Sequence, residues 1–292
     1  MSLKVAKQIA DAVPSWLDDA AKRAQEPVQQ FFSARPGLHN ALDGTWLGVP
    51  LHPALTDVPV GAWTSAFCLD VVAGLTGSDA ADTAADGALA VGIAAALPAA
   101  ATGTADWRDL IGEERRIATV HALLNVAGLT LNIASLIRRA RGNRRAGRAL
   151  SAAALAISGG AAHLGGELSF GLGVRVNHTF SDEGPGEFVA VLDEADLRES
   201  ELMAVDVDGT QVLIGRAQSG ELCAIATTCS HLGGPLADGE RDGDTVTCPW
   251  HGSRFDLCSG RVVEGPAVFA QPRYEVRTRD GKIELRTAQN AD

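Results

Sequence analysis

Four side chains that commonly bind metals lie in two short stretches near the C-terminal end of the chain. Cys229 and His231 form the first pair, and Cys248 and His251 form the second after sixteen intervening residues. A [2Fe–2S] cluster can take two cysteines on one iron and two histidines on the other. Zinc sites usually pair Cys with Cys and His with His along the chain, whereas each stretch here supplies one of each. We therefore predict a [2Fe–2S] cluster, with structural zinc as the alternative.

The residues around these ligands carry a resemblance. Leu-Gly-Gly-Pro-Leu occupies positions 232–236, and Cys-Pro-Trp-His-Gly-Ser-Arg-Phe-Asp occupies 248–256. This pattern resembles the family of Rieske ferredoxins and Rieske oxygenase components, from about Phe188 to Arg286. The resemblance implies a one-electron carrier whose exposed His231 and His251 form the electron exit.

Two residues of the second stretch bear on the reduction potential. Ser253 is expected to donate a hydrogen bond to a cluster sulfur. Phe255 stands where respiratory members of the family have a tyrosine donor, and it cannot donate. Fewer hydrogen bonds stabilise the reduced cluster less, so we expect a potential in the low part of the range of about −150 to +300 mV.

Short alternating runs with Asp-Gly and Ser-Gly turns follow residue 186 and predict an all-β domain. Upstream, four apolar stretches cover residues 58–75, 87–105, 117–137 and 149–164. Each approaches the roughly 20 residues that span a bilayer, and small residues suit close helix packing in lipid. The predicted fold is an all-α four-helix transmembrane bundle followed by an all-β Rieske domain. A soluble alanine-rich bundle is the alternative for the first half.

The first half also resembles a known family. Residues 44–59 (Gly-Thr-Trp-Leu-Gly-Val-Pro-Leu-His-Pro-Ala-Leu-Thr-Asp-Val-Pro) and residues 165–174 resemble the two ends of the four-helix membrane domain DUF2231. We predict an amphipathic N-terminal arm over 1–43, a DUF2231-like domain over 44–178 and the Rieske domain over 187–288. The DUF2231 resemblance implies no activity.

Alternating helix directions place several polar residues on one side of the bundle. These are His52, Asp106, His121 and His163, with His178 in the linker. Ionisable residues within a membrane are functional candidates, so His52, His121 and His163 are candidate ligands for haem b or a quinone site. The alternative is that they bond to helix ends or to neighbours such as Asn125 and Glu167. Asp70, within the first helix, is either a proton-relay carboxyl or a buried hydrogen-bond partner.

Charge gives information on location and partners. The formal net charge of −11 argues against a non-specific nucleic-acid partner. Six arginines between residues 138 and 148 favour a cytoplasmic loop, which would put the Rieske domain outside the cell membrane. Arg144-Arg145 also resembles an internal twin-arginine export signal. Arg108, Arg115 and Arg116 in the preceding gap favour the opposite orientation.

These features predict a multi-pass membrane protein that passes single electrons to or from a redox protein partner or quinone, without a self-contained catalytic site. The alternatives are a ferredoxin component that supplies a separate oxygenase, and a redox sensor. Cys223 and Cys258 are expected to be small packing groups, or a disulfide if they meet outside the cell.

Overall fold

The computed structural model describes residues 2–182, 184–198 and 201–288. Within these residues, α-helices fill the first half and β-strands the last third. The helices are α1 (Ser2–Ala12), α2 (Ser15–Ser33), α3 (Pro36–Asp43), α4 (Leu51–Thr76), α5 (Asp79–Trp107), α6 (Gly112–Ala140) and α7 (Arg144–Gly166), and a π-helical turn covers Glu167–Gly171. The strands are β1 (Val189–Asp193), β2 (Leu202–Val207), β3 (Thr210–Arg216), β4 (Leu222–Ala226), β5 (Glu240–Asp242), β6 (Thr245–Thr247), β7 (Arg254–Asp256), β8 (Val262–Glu264), β9 (Arg273–Arg279) and β10 (Lys282–Thr287).

The chain forms two compact units. Met1–Ala34 and Leu51–Val174 make the helical unit, and Arg35–Pro50 and Arg175–Asp292 make the β unit. Helix α3 therefore packs with the β unit, although the sequence predicts an arm that runs to residue 43.

The four long helices α4 to α7 are each long and apolar enough to cross a membrane. Their outward faces carry large apolar side chains, and Leu75, Leu97 and Val126 are 82%, 63% and 61% exposed. Such faces suit lipid better than water. The predicted architecture of four apolar helices before a β-rich domain is confirmed.

The helical unit consists of two hairpins, α4/α5 and α6/α7, built on one pattern. The Nδ1–H of His52 donates to the carbonyl of Ala99 at 2.8 Å, and that of His121 donates to the carbonyl of Ala161 at 2.8 Å. The residue four positions after each acceptor is a glycine, and a Cβ atom there would lie 2.8 Å and 3.3 Å from the Cε1 atoms of His52 and His121. The two hairpins are therefore an internal structural repeat.

The same repeat places opposite charges at matching positions. Asp70 and Arg139 each follow their hairpin's histidine by eighteen residues, and the Arg139 guanidinium binds the Asp70 carboxylate in bidentate fashion. Counted back along the second helix of each hairpin from the acceptors Ala99 and Ala161, Asp82 matches Arg144 and Asp86 matches Arg148. These four side chains lie in the same ionic cluster. The first hairpin thus supplies three carboxylates and the second three guanidinium groups. This ionic cluster holds the hairpins together at the end with the short loops.

The N-terminal arm is anchored on the helical unit. The amide of Gln25 donates to the carbonyls of Trp107 and Leu110, both at 2.9 Å, and Arg115 binds Asp18 at 3.0 Å. The Gln25 bonds cap the end of α5 and the loop after it, and the Arg115–Asp18 pair joins α2 to the first turn of α6.

The β unit contains two antiparallel sheets. The larger sheet has the strand order β1-β10-β9-β4-β3-β2, and the smaller has the order β5-β6-β7-β8. Leu213, Ile225 and Phe255 are fully buried in a core that also contains Cys229 and Cys248. The predicted all-β domain is confirmed. Two of the candidate ligands, Cys229 and Cys248, are themselves part of its core.

Candidate metal centre

The two ligand stretches form loops with the same backbone design. In the first loop, after β4, the N–H of Gly233 donates to the carbonyl of Cys229 at 2.9 Å, and the N–H of Cys229 donates to the carbonyl of Gly234 at 2.8 Å. In the loop between β6 and β7, Gly252 and Ser253 take the same places around Cys248, at 3.0 Å and 2.8 Å. Gly233 and Gly252 have φ angles of 74° and 76°, in the region that favours glycine. The sequence spacing therefore encodes two matching turns.

The loops bring the four predicted ligands together in like pairs. The Cys229 thiol is hydrogen bonded to Cys248, and both residues are buried. The imidazole rings of His231 and His251 lie 5.1 Å apart between centroids, at an interplanar angle of 85°. Sulfur thus faces sulfur, and imidazole faces imidazole.

This pairing fits a cluster of two unlike irons. Among the described residues, no three His, Cys, Asp or Glu side chains converge on one ion position. A tetrahedral zinc site needs four ligands around one ion, whereas each iron of a Rieske cluster takes two from the protein. A Cβ atom on Gly234 would lie 2.8 Å from the Cys248 sulfur, so glycine is required beside the thiolates. The donor set fits a [2Fe–2S] cluster, which when bound accepts and releases one electron.

Hydrogen bonds around the two cysteines shift the pKa values of their thiols in opposite directions. The hydrogen bond from Cys229, with the N–H groups of Trp250 and His251, lowers the pKa of Cys248 to about 6. The bond to Cys248, with burial, raises the pKa of the Cys229 thiol. Both thiols must lose their protons to bind iron.

The outer face of the site is more closed than the sequence suggests. His231 is 6% exposed, so the expectation that both imidazoles are exposed is wrong for this one. Pro266, Val268 and Phe269 line the same small cavity as His231, so these residues surround its ring. His251 is half-buried, and the neighbouring Trp250 is 58% exposed. His251 and Trp250 form the accessible edge of the site.

A segment outside the ligand loops connects them. We call residues 265–269 the bridging segment. Its Ala267 N–H donates to the Ser253 hydroxyl at 3.0 Å, and the Ser230 hydroxyl donates to its Phe269 carbonyl at 2.7 Å. Both serines are fully buried. The Ser253 oxygen accepts this bond, so its hydrogen remains to donate toward a cluster sulfur. The predicted role of Ser253 stays a prediction that this geometry supports.

The membrane histidines are only partly brought together. The rings of His52 and His121 lie 6.4 Å apart between centroids. Besides its bond to Ala161, His121 accepts the side-chain N–H of Asn125 at its Nε2 atom, at 3.0 Å. His163 is on an exposed face of α7, and the described residues include no ring contact for it. The geometry resembles the helix-bracing alternative, and the haem or quinone site stays a prediction.

Asp70 has the partner that the sequence did not reveal. Its two carboxylate oxygens bind Arg139, and Ser151 donates to it at 3.3 Å. Of the two roles considered for Asp70, the structure shows the buried hydrogen-bond partner. The equal spacing of eighteen residues in His52–Asp70 and His121–Arg139 was the signal that could have identified this pair.

Comparison with known proteins agrees with both halves of this description. Residues 187–275 match the family model of the Rieske [2Fe-2S] domain, and residues 48–178 match that of the predicted membrane protein DUF2231. The chain thus joins a DUF2231 membrane domain to a Rieske [2Fe–2S] electron-transfer domain.

Three similar proteins show what this chain shares. It is 28% identical over 102 residues to human apoptosis-inducing factor 3, covering 35% of this chain but only 17% of that one. It is 27% identical over 89 residues to the ferredoxin component of the naphthalene 1,2-dioxygenase system of Pseudomonas putida, covering 30% of this chain and 85% of the ferredoxin. The solved ferredoxin of carbazole 1,9a-dioxygenase from Nocardioides aromaticivorans IC177 is 28% identical, with coverage of 35% and 100% and a TM-score of 0.33. Each match covers about a third of this chain.

Proposed function

We propose that this protein is a membrane-anchored electron carrier whose Rieske cluster exchanges single electrons with a redox protein at the His251 edge. The observation that carries the proposal is the pairing of Cys229 with Cys248 and of His231 with His251. The exposed Trp250 beside His251 supports docking of a protein partner there, because aromatic residues are enriched at interfaces. Reduction adds one electron to the cluster, and the protein fixes the position of the cluster and leaves one edge of it accessible.

We propose further that the Rieske domain lies outside the cell membrane. Cys223 in β4 and Cys258 after β7 form a disulfide across the core. Structural disulfides persist in oxidising compartments and are rare in the cytosol. The arginine count supports this orientation less directly, since Arg139, Arg144 and Arg148 are engaged by carboxylates.

The first experiment is EPR spectroscopy of the full-length protein in detergent, before and after reduction with dithionite. A Rieske signal that appears on reduction, and that is oxidised by a soluble one-electron acceptor such as ferricyanide, is expected. Reduced protein without such a signal would overturn the proposal. Visible spectra of the same sample test the haem prediction, because a b-type haem adds a sharp band on reduction.

Orientation is tested separately in intact cells. Alkaline phosphatase fused after the C-terminus is active only outside the cytoplasm, so an active fusion is expected. A fluorescent protein that matures only in the cytoplasm serves as the matched reporter, and fluorescence from it would contradict the external assignment.

The similarity to dioxygenase ferredoxin components favours a second candidate function. Here the cluster would supply electrons to a separate oxygenase, and the helices would hold it at the membrane. Anaerobic mixing of reduced protein with a purified Rieske oxygenase component distinguishes the two. Rapid reoxidation, with turnover of the oxygenase, would favour the ferredoxin role over exchange with a respiratory partner.

A further inference from the structure

Asp43, Arg175 and His39 form a buried, bonded group next to the bridging segment of the β unit. Asp43, at the end of α3, is fully buried and accepts the His39 imidazole at 2.6 Å on one oxygen and the Arg175 guanidinium at 2.6 Å on the other. His39 and Arg175 are 7% and 8% exposed. Burying such charges is costly without good geometry and further hydrogen bonds. We call His39, Asp43 and Arg175 the charge clamp.

The clamp is bonded to the bridging segment. The second guanidinium nitrogen of Arg175 donates to the carbonyl of Pro266 at 2.5 Å. A Cβ atom on Gly265 would lie 2.7 Å from the Asp43 carboxylate, so only glycine allows this approach. The neighbouring Asn40 accepts the N–H of Gly265 at 2.9 Å and donates to the carbonyl of Val263 at 3.3 Å. Helix α3 and Arg175 thus fix the start of the bridging segment.

The other end of the same short segment is bonded to the ligand loops. Ala267, next to Pro266, donates to Ser253, and Phe269 accepts from Ser230. Arg175 also shares the small cavity that His231 lines. A continuous set of bonds therefore runs from the clamp through Pro266 and Ala267 to the serine beside Cys248.

We propose that Arg175, held by Asp43 and His39, is a positioning residue that sets the reduction potential of the cluster through the bridging segment and Ser253. The inference rests on the proposed function, since it needs a bound cluster. Hydrogen bonds to cluster sulfurs stabilise the reduced form, and a nearby positive charge does the same. In the sequence, α3 precedes the membrane helices and Arg175 follows them, so the potential depends on chain segments at both ends of the membrane domain.

The test compares reduction potentials of the full-length protein by EPR-monitored redox titration. Arg175→Gln removes both the charge and the firm bond to Pro266, so the potential should fall. Arg175→Lys keeps the charge and should restore part of the loss. Asn40→Ala leaves every charge in place but removes the hydrogen bond that holds the Gly265 N–H, so a smaller fall in the reduction potential is expected. Arg277→Gln, which breaks an exposed ion pair with Glu284 on β9 and β10, is the matched control and should not change the potential.

A double-mutant cycle separates positioning from simple electrostatics. Ser253→Ala should lower the potential, and Arg175→Gln should then add less than it does alone, because the two act through one path. Full additivity, or no shift in Arg175→Gln protein with an intact EPR signal, would overturn the inference. Absence of a Rieske signal in the unmodified protein would overturn the proposed function instead. If Arg175→Gln protein fails to fold, Asn40→Ala and Arg175→Lys still decide, since an unchanged potential in both contradicts the proposal.

Discussion

The β unit and the helical unit organise their polar residues in different ways. The ligands of the β unit lie on two loops whose turns are encoded locally, within six residues each. The polar residues of the helical unit meet across helices, so that Asp70 and Arg139 bond over a separation of 69 residues. A local motif can be recognised in a sequence, whereas pairing across a bundle needs the fold. Chemistry is thus easiest to predict where single loops carry it.

The sharpest test of this comparison replaces a predicted cluster ligand in the β unit and, separately, each of two half-buried histidines in the helical unit. Cys229→Ser should abolish the Rieske EPR signal, since the serine oxygen replaces a thiolate in the two-cysteine set. His52→Ala and His121→Ala should leave that signal intact, because their bonds are to Ala99 and Ala161 within the helical unit. EPR of each reduced, detergent-purified variant measures the effect. A full signal from Cys229→Ser protein would refute the ligand assignment.

The next largest effect concerns the ionic cluster of the helical unit. Arg139→Met removes the bidentate partner of the buried Asp70 and leaves it only the Arg148 guanidinium at 3.6 Å. Breaking a buried pair costs about 3–5 kcal/mol. Asp70→Leu combined with Arg139→Met should cost less than either change alone, because no charge is left unpaired. SDS titration of the full-length protein gives the free energy of unfolding. Arg145→Met, at an exposed neighbouring position, is the control. A double variant as unstable as the sum of both singles would contradict the pairing.

The disulfide offers an intermediate effect confined to the β unit. Cys223 and Cys258 are separated by 35 residues, and closing a loop of that size stabilises a domain by about 2–4 kcal/mol. Replacing both by alanine should lower the temperature at which the visible circular dichroism of the cluster is lost, while the EPR signal persists. Alkylation of the native protein without reductant provides a direct check. Modification of both thiols there would mean that they are not bonded in cells.

Features encoded by local sequence patterns could be predicted in both units, whereas contacts between distant residues could not. The cluster motif and the four apolar stretches are local patterns, and both were recognised. The partner of Asp70 was missed because Arg139 was counted as part of a loop, although it is the last charge of α6. The clamp was missed because Asp43 and Arg175 are separated by 132 residues and belong to stretches interpreted as the N-terminal arm and the end of the membrane domain. Burial of His231 was missed because the residues that surround it belong to the bridging segment, which contains no metal ligand and so did not point to the site.

The smallest predicted effect uses the only tyrosine of the chain, so its absorbance reports one site. Tyr274 is buried in the large sheet of the β unit, and within the described residues its hydroxyl has no hydrogen-bond partner. Burial, together with the negative charge of Asp182, raises the pKa of Tyr274 to about 12. In the unfolded chain the phenol ionises near its ordinary value of about 10. The neutral phenol therefore contributes stability that is complete below about pH 10 and is lost as the pH rises through about 12.

Ultraviolet titration of tyrosinate in the full-length protein, with circular dichroism at each pH to confirm folding, measures this pKa. Asp182→Asn removes the smaller cause and should lower the midpoint slightly, whereas Tyr274→Phe should remove the alkaline loss of stability without weakening the protein at neutral pH. A folded protein that titrates near pH 10 would mean that water reaches the phenol. Such a result would make this part of the sheet more open than the ligand loops of the same unit.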